Sequence, residues 1–251
     1  MIILEVTGVS VSFGGVKAID NVSFRMEQAE VFSIVGPNGA GKTTLFNLFS
    51  RIYNLDSGSI MFDGIDIGTA PPHKVAELGI ARTFQNTELF EHESVLNNLL
   101  IGSSIHSTTN LFDELFFLKK ARDQELEFRK HAEDVIDLLD LQSYRHSEIV
   151  SLPFGIRKLV EIGRALCLKP KLILLDEPSS GLNPEETEDL IFQIEDIKEE
   201  MSISILMIEH DMNLVSKVSD RVLAMADGKV LTVGQPQEVQ EHPEVIKAYL
   251  G

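Results

Sequence analysis

The sequence predicts an α/β fold: a mainly parallel sheet flanked by helices, an antiparallel β-layer at the N-terminal end, and an inserted helical subdomain. Three observations carry this prediction. Short apolar runs of strand type, at residues 31–35, 172–175 and 203–208, alternate with segments of helical spacing. A glycine-rich loop joins the first of these runs to the start of a helix, an arrangement that suits a parallel sheet with an anion site at its edge. Between about residues 93 and 149 the strand patterns vanish, and charged and apolar residues interleave as in helices. The 251 residues, 43% hydrophobic and 24% charged, suffice for one large α/β domain with a sizeable subdomain.

Taken in order, residues 4–13 alternate apolar and polar side chains and read as a half-buried strand. Gly14 and Gly15 make a turn, and residues 16–26 read as the antiparallel partner. Phe13 lies just before that turn. Its ring could stack on a nucleobase or pack in a core, and taken alone core packing is the simpler reading. The apolar run 31–35 leads into Gly36, Pro37, Asn38, Gly39, Ala40, Gly41, Lys42, Thr43 and Thr44, which fit the phosphate-binding pattern G-x-x-x-x-G-K-[ST]. The glycines let backbone N–H groups turn inward as an anion cradle, and the helix N-terminus adds partial positive charge. Lys42 is long enough to reach β- and γ-phosphates, and the Thr43 hydroxyl can take one place on Mg²⁺.

Residues 58–64 read as a strand and turn, 71–78 as a short helix with proline in its first turn, and 79–86 as a short strand ending in polar residues, Gln85 among them. In the helical insertion, residues 97–101, 111–119 and 123–141 have helical spacing. Leu111, Phe112, Leu115, Phe116 and Leu118 form an apolar cluster there, for internal packing or, on a sharper reading, for docking a membrane partner. A helix over 155–168 precedes the buried strand 172–175, which ends on Asp176 and Glu177. Asp176 suits Mg²⁺ held through water, and Glu177 suits a base that polarises an attacking water beside the γ-phosphate. Pro184 opens another helix with acids in its first turn and Leu190, Ile191, Ile194 and Ile197 on one face. The strand 203–208 runs into Glu209, His210 and Asp211, and residues 222–226 and 229–233 read as a hairpin. Gln85, the pair Asp176 and Glu177, and His210 all stand at strand ends, where ligands of open α/β sheets bind. Gln85 is therefore a candidate for the metal or the water, and His210 for the γ-phosphate.

A net charge of −17 disfavours non-specific contact with nucleic acid or anionic lipid. The single cysteine, Cys167, excludes an intrachain disulfide framework and reads as a small buried helix residue. No apolar run approaches the ~18 residues of a membrane span, and the first residues show no basic stretch followed by a long apolar core. The expectation is a cytosolic chain that other subunits hold at a membrane if it works there.

On the aromatic Phe13, the phosphate loop, Gln85, Asp176 and Glu177, the segment Ser180, Gly181, Leu182 and Asn183, and His210, the chain resembles the nucleotide-binding subunits of ATP-binding cassette (ABC) transporters, essentially end to end. Residues 81–86, the helical insertion, residues 181–184 and the ending 243–251 are most similar to the branched-chain amino-acid importer ATPases. The lipopolysaccharide-export ATPase has a similar ending. The resemblance implies a P-loop NTPase core and β-layer at about 1–92 and 165–251 with a helical subdomain at about 93–164. It implies ATP and Mg²⁺ as cofactors, with Glu177, His210, Gln85 and Lys42 in hydrolysis and Thr43, Gln85 and Asp176 at the metal. Phe13 and residues 36–44 would bind this chain's nucleotide. Leu152 and Gly155 would reach the nucleotide of a second ATPase subunit. Transmembrane permeases would dock near residues 85–91 and hold the chain peripherally at the cytoplasmic face of the membrane. The alternatives are an ATPase for lipid or lipopolysaccharide export or for urea or amide import. A soluble ABC ATPase acting on nucleic acid suits one cassette of charge −17 less well.

One stretch departs from the family pattern. Where the family has Leu-Ser-Gly-Gly-Gln, this chain has Leu152, Pro153, Phe154, Gly155 and Ile156. Proline and an aromatic are tolerated in the branched-chain group, but Ile156 is not expected even there. Pro153 offers neither hydroxyl nor N–H, and a lost charge-assisted hydrogen bond costs roughly 1.5–3 kcal/mol. The expected consequence falls on the ATP held by the partner subunit and favours a heterodimer with an intact signature on the other chain.

Overall fold

The computed structural model describes residues 1–83, 88–107 and 119–250, apart from the Leu250 side chain. The chain divides into two units, Met1–Gln85 with Lys171–Gly251, and Asn86–Pro170. The change of sequence texture at about 93 and 149, and the helical subdomain expected at about 93–164, both lie inside the second unit.

In the first unit, β1 (Ile2–Phe13) and β2 (Val16–Glu27) pair antiparallel. With β4 (Ser57–Phe62) and β5 (Ile65–Asp66) they form a sheet of order β2-β1-β4-β5. The alternation along β1 is not continuous. Leu4 and Val6 are buried before Gly8, and Val9 and Val11 after it, so the inward face changes phase. Gly8 takes φ 58°, and the pairing register shifts between Val6 and Val9, as an inserted bulge residue requires.

The second sheet has the order β10-β9-β3-β8-β7-β6. Its central strands β3 (Val31–Val35), β7 (Leu172–Asp176) and β8 (Ser204–Ile208) are buried at every residue, which is why they read as continuous apolar runs. β3 pairs parallel with β8 and with β9 (Arg221–Ala226); β7 pairs parallel with β8 and with β6 (Ile80–Arg82). β10 (Lys229–Gly234) closes the edge as the antiparallel arm of the expected hairpin. Leu4, Val6, Phe24 and Phe62 of the antiparallel layer share one core with Phe32 and Leu206 of the parallel sheet and with Phe46 and Phe49 of the helix that follows the phosphate loop. Phe24 stacks on Phe32 with ring centroids 5.3 Å apart. The parallel strands β3, β8, β7 and β6 thus bring their carboxyl ends to one edge. The helices of this unit include α1 (Lys42–Phe49) and α2 (Pro72–Leu78).

The second unit contains α3 (Val95–Ser103), α4 (Lys119–Leu138) and α5 (Phe154–Leu166). Ser94 caps α3 by accepting from the Asn97 N–H at 3.2 Å. α3 approaches α5 so closely that a Cβ on Gly102 would lie 2.3 Å from the Arg164 carbonyl oxygen. α4 buries only Ala132, Val135 and Ile136 and leaves its charges to solvent. The apolar cluster of Leu111, Phe112, Leu115, Phe116 and Leu118 lies outside the described residues. The rest of the first unit's helices are α6 (Pro184–Met201), α7 (Met212–Val218), α8 (Pro236–Gln240) and α9 (Pro243–Leu250).

Candidate active site

The loop that follows β3 turns hard against β9. A Cβ at Gly36 would sit 2.1 Å from the Met225 carbonyl oxygen, so no side chain fits there. Gly41 caps α1 in a left-handed conformation, φ 99°, with no side-chain cap bond, which leaves the first-turn N–H groups for an anion. The Lys42 ammonium folds back over its own loop, donating to the carbonyls of Gly36 at 2.6 Å and Pro37 at 3.2 Å. Burial pushes its pKa below the usual lysine range, and the nearby Glu177 and Asp176 carboxylates oppose that shift. A cleft of about 210 Å³ is lined by residues 38–44, Ala18 and Glu177.

Asp176 ends β7 with its side chain buried. Its Oδ2 accepts from Arg82 Nη2 at 2.9 Å. The other arm of Arg82 donates to Asn47 Oδ1 at 2.8 Å and Ser50 Oγ at 3.1 Å, both on the phosphate-loop side of the sheet in and just after α1. Its guanidinium carbon lies 5.7 Å from the Phe46 ring centroid. Burial raises the Asp176 carboxyl above its ordinary value; Arg82 pulls it back and Glu177 adds to the rise. Thr43 and Asp176 are hard oxygen donors, and no cluster of three or more metal-ligating side chains occurs among the described residues. So sparse a set fits Mg²⁺, which keeps several waters and takes phosphate oxygens.

Glu177 adopts φ 52°, a left-handed conformation that costs a non-glycine residue roughly 1–2 kcal/mol. Its N–H donates to the Ile208 carbonyl at 2.9 Å, which ties the turn after β7 to the end of β8. The turn sets the Glu177 side chain at the cleft, where Oε1 meets His210 Nε2 at 2.6 Å. Two sequence candidates, on neighbouring strands, thus touch.

Of the other candidates, Gln85 lies outside the described residues. Phe13 is 45% exposed and packs edge-on against Tyr53, with centroids 4.9 Å apart; it is not among the residues that line the phosphate cleft. In the second unit, the Leu152 side chain is buried and its carbonyl accepts from Arg157 Nε at 2.9 Å. Gly155 stands in the first turn of α5, whose cap, Pro153, makes no side-chain cap bond. A ligand contact from this turn falls to first-turn N–H groups rather than to the Leu152 side chain. Arg82 was not singled out for the site from the sequence, because its contact with Asp176 depends on the pairing of β6 with β7.

The sequence pattern of the family described as "ABC transporter" matches residues 19–180. That of "Branched-chain amino acid ATP-binding cassette transporter" matches residues 229–251. The chain is 39% identical over 249 residues to the high-affinity branched-chain amino acid transport ATP-binding protein BraF of Pseudomonas aeruginosa, covering 99% of this chain and 98% of BraF. It is 35% identical over 249 residues to LivG of Escherichia coli, a protein of the same description, with 99% and 98% covered. A solved nucleotide-free ATP-binding cassette from an ABC transporter is similar with a TM-score of 0.86 and 33% identity, covering 100% of both chains. The ADP conformation of the cassette MJ1267 is similar with a TM-score of 0.86 and 32% identity, covering 100% of this chain and 99% of that one.

Proposed function

This chain belongs to the ABC transporter family, and from that premise we propose that it is the ATP-hydrolysing subunit that powers import of branched-chain or related amino acids. The observation that carries the reading is the meeting of Lys42, Asp176, Glu177 and His210 at the carboxyl ends of three neighbouring parallel strands, beside a phosphate-sized cleft. The amino-acid substrate follows the description of the relatives, which are branched-chain amino acid transport proteins.

In this mechanism the backbone N–H groups of residues 36–44 bind the phosphates. Lys42 exchanges its two carbonyl partners for β- and γ-phosphate oxygens. Glu177 takes the proton of the attacking water. His210 holds Glu177 Oε1 in line, and its imidazole would hydrogen-bond the γ-phosphate. Mg²⁺, when bound with ATP, neutralises phosphate charge; Thr43 and Asp176 would hold it, Asp176 through water. Gln85 would complete the metal site, and Phe13 would stack on the base. Gly155 serves the nucleotide of a second ATPase subunit, and the departure at Pro153 and Ile156 favours a different sibling chain in that place. Among the described residues no helix is long and apolar enough to cross a membrane. Permease subunits would therefore hold this chain at the cytoplasmic face.

The test is purification with the native permeases and reconstitution with the cognate binding protein in liposomes. ATP turnover stimulated by leucine, isoleucine or valine is the expected result. Stimulation by urea, an amide or lipopolysaccharide instead would overturn the substrate assignment.

A further inference from the structure

Glu209 ends the run from β8 into the His210 loop, and only 1% of it is exposed. Its Oε1 accepts the Ser179 N–H at 2.7 Å. Its Oε2 accepts the N–H groups of His210 at 2.8 Å and Asp211 at 3.2 Å. Its own N–H lies 3.4 Å from the carbonyl oxygen of Ile34, one residue before β3 gives way to the phosphate loop. The two oxygens therefore serve two different loops. One loop carries Glu177 two residues before Ser179, and the other carries His210.

An ionised carboxylate is the side chain this arrangement demands, because it has two acceptor oxygens and no donor. Glutamine has the same shape but one acceptor and an NH₂ group. In its place, one of the two loops must turn an N–H toward an N–H. A hydroxyl side chain lacks the length to reach both loops.

We propose that Glu209 is a positioning residue for ATP hydrolysis: a buried carboxylate strut that fixes the Glu177 loop relative to the His210 loop and so maintains the 2.6 Å contact between those side chains. The proposal rests on the assignment of Glu177 and His210 to the hydrolytic site. The strut acts through His210 and Glu177, and none of its hydrogen bonds goes to residues 36–44. Its loss therefore slows turnover without loosening the grip of residues 36–44 on the nucleotide.

The test is a double-mutant cycle in the assembled transporter, with kcat and ATP affinity measured for Glu209→Gln, His210→Ala and the double variant. Glu209→Gln is expected to lower kcat roughly ten- to a hundredfold, the rate equivalent of one hydrogen bond to a charged group, with ATP affinity kept within about twofold. In the His210→Ala background the same change is expected to add no more than about twofold. A full multiplicative loss in the double variant, or an equal loss of ATP affinity, overturns the proposal in favour of general loop stability. If His210→Ala alone leaves turnover intact, the assignment of His210 falls and the strut falls with it. If His210→Ala lowers turnover and Glu209→Gln does not, the strut alone falls. Should Glu209→Gln fail to fold, Glu209→Asp keeps the charge but is one methylene too short to span both loops. Reduced kcat at unchanged ATP affinity supports the strut there, and undiminished kcat overturns it.

Discussion

Lys42 is a buried cation held on two backbone carbonyls beside two carboxylates, and each of these features bears on binding. The carbonyls are exchangeable partners, so the ammonium transfers to phosphate oxygens without opening the loop. Lys42→Met is expected to keep the fold and weaken ATP binding by about 1.5–3 kcal/mol, roughly ten- to a hundredfold in Kd, by calorimetric titration. Cys167 shows the opposite case, a reactive residue type made inert: burial pushes its thiol up to about 12. Lys42, Asp176 and Glu177 were legible because each stands at a fixed offset from a loop or a strand end. The left-handed backbone of Glu177 and the contact of His210 with it were not, because both depend on how β7 and β8 align.

At the scale of elements, Arg82 binds β6, β7 and the end of α1 into one bracket behind the phosphate loop. The pair with Asp176 is almost wholly buried, so removing the cation leaves an uncompensated carboxylate. Arg82→Met is expected to cost about 3–5 kcal/mol in urea unfolding at neutral pH. The pH dependence has a definite sign. The Asp176 carboxyl is raised in the folded state, so its protonated form favours folding, and the stability this gives at low pH is lost as pH rises through the raised value. Without Arg82 the rise is larger. The deficit of the variant should therefore shrink as the pH is lowered toward that value, and a deficit independent of pH would contradict the bracket. The fully buried strands β3, β7 and β8 were legible because four of the five residues in each are apolar, a density that suits a strand covered on both faces. The phase change at Gly8 is not legible, because residues 4–13 read as one alternating strand and the bulge shows only in the pairing register.

For the whole molecule, the parallel strand order brings the phosphate loop, Asp176, Glu177 and His210 to one edge, and this convergence makes the unit an ATPase core. The sequence showed the parts, while the strand order that unites them came from pairings between residues far apart in the chain. The α5 cap at Pro153 lacks a side-chain bond, so the proposed contact of this turn with a second subunit's nucleotide would rest on first-turn backbone N–H groups. Restoring the family residues with Pro153→Ser and Ile156→Gln together should raise hydrolysis at the partner-side site of the assembled transporter, by up to the roughly ten- to a hundredfold of one charge-assisted hydrogen bond. An unchanged rate at that site would remove the argument for an asymmetric pair. The central claim is that this chain's own loop and its Glu177 form a hydrolytic site. Its most direct test is Glu177→Gln in the assembled transporter, followed by bound nucleotide and phosphate release. The account predicts ATP retained on the complex with turnover lowered at least about a hundredfold, as loss of a general base requires; wild-type phosphate release from this chain's site would contradict it.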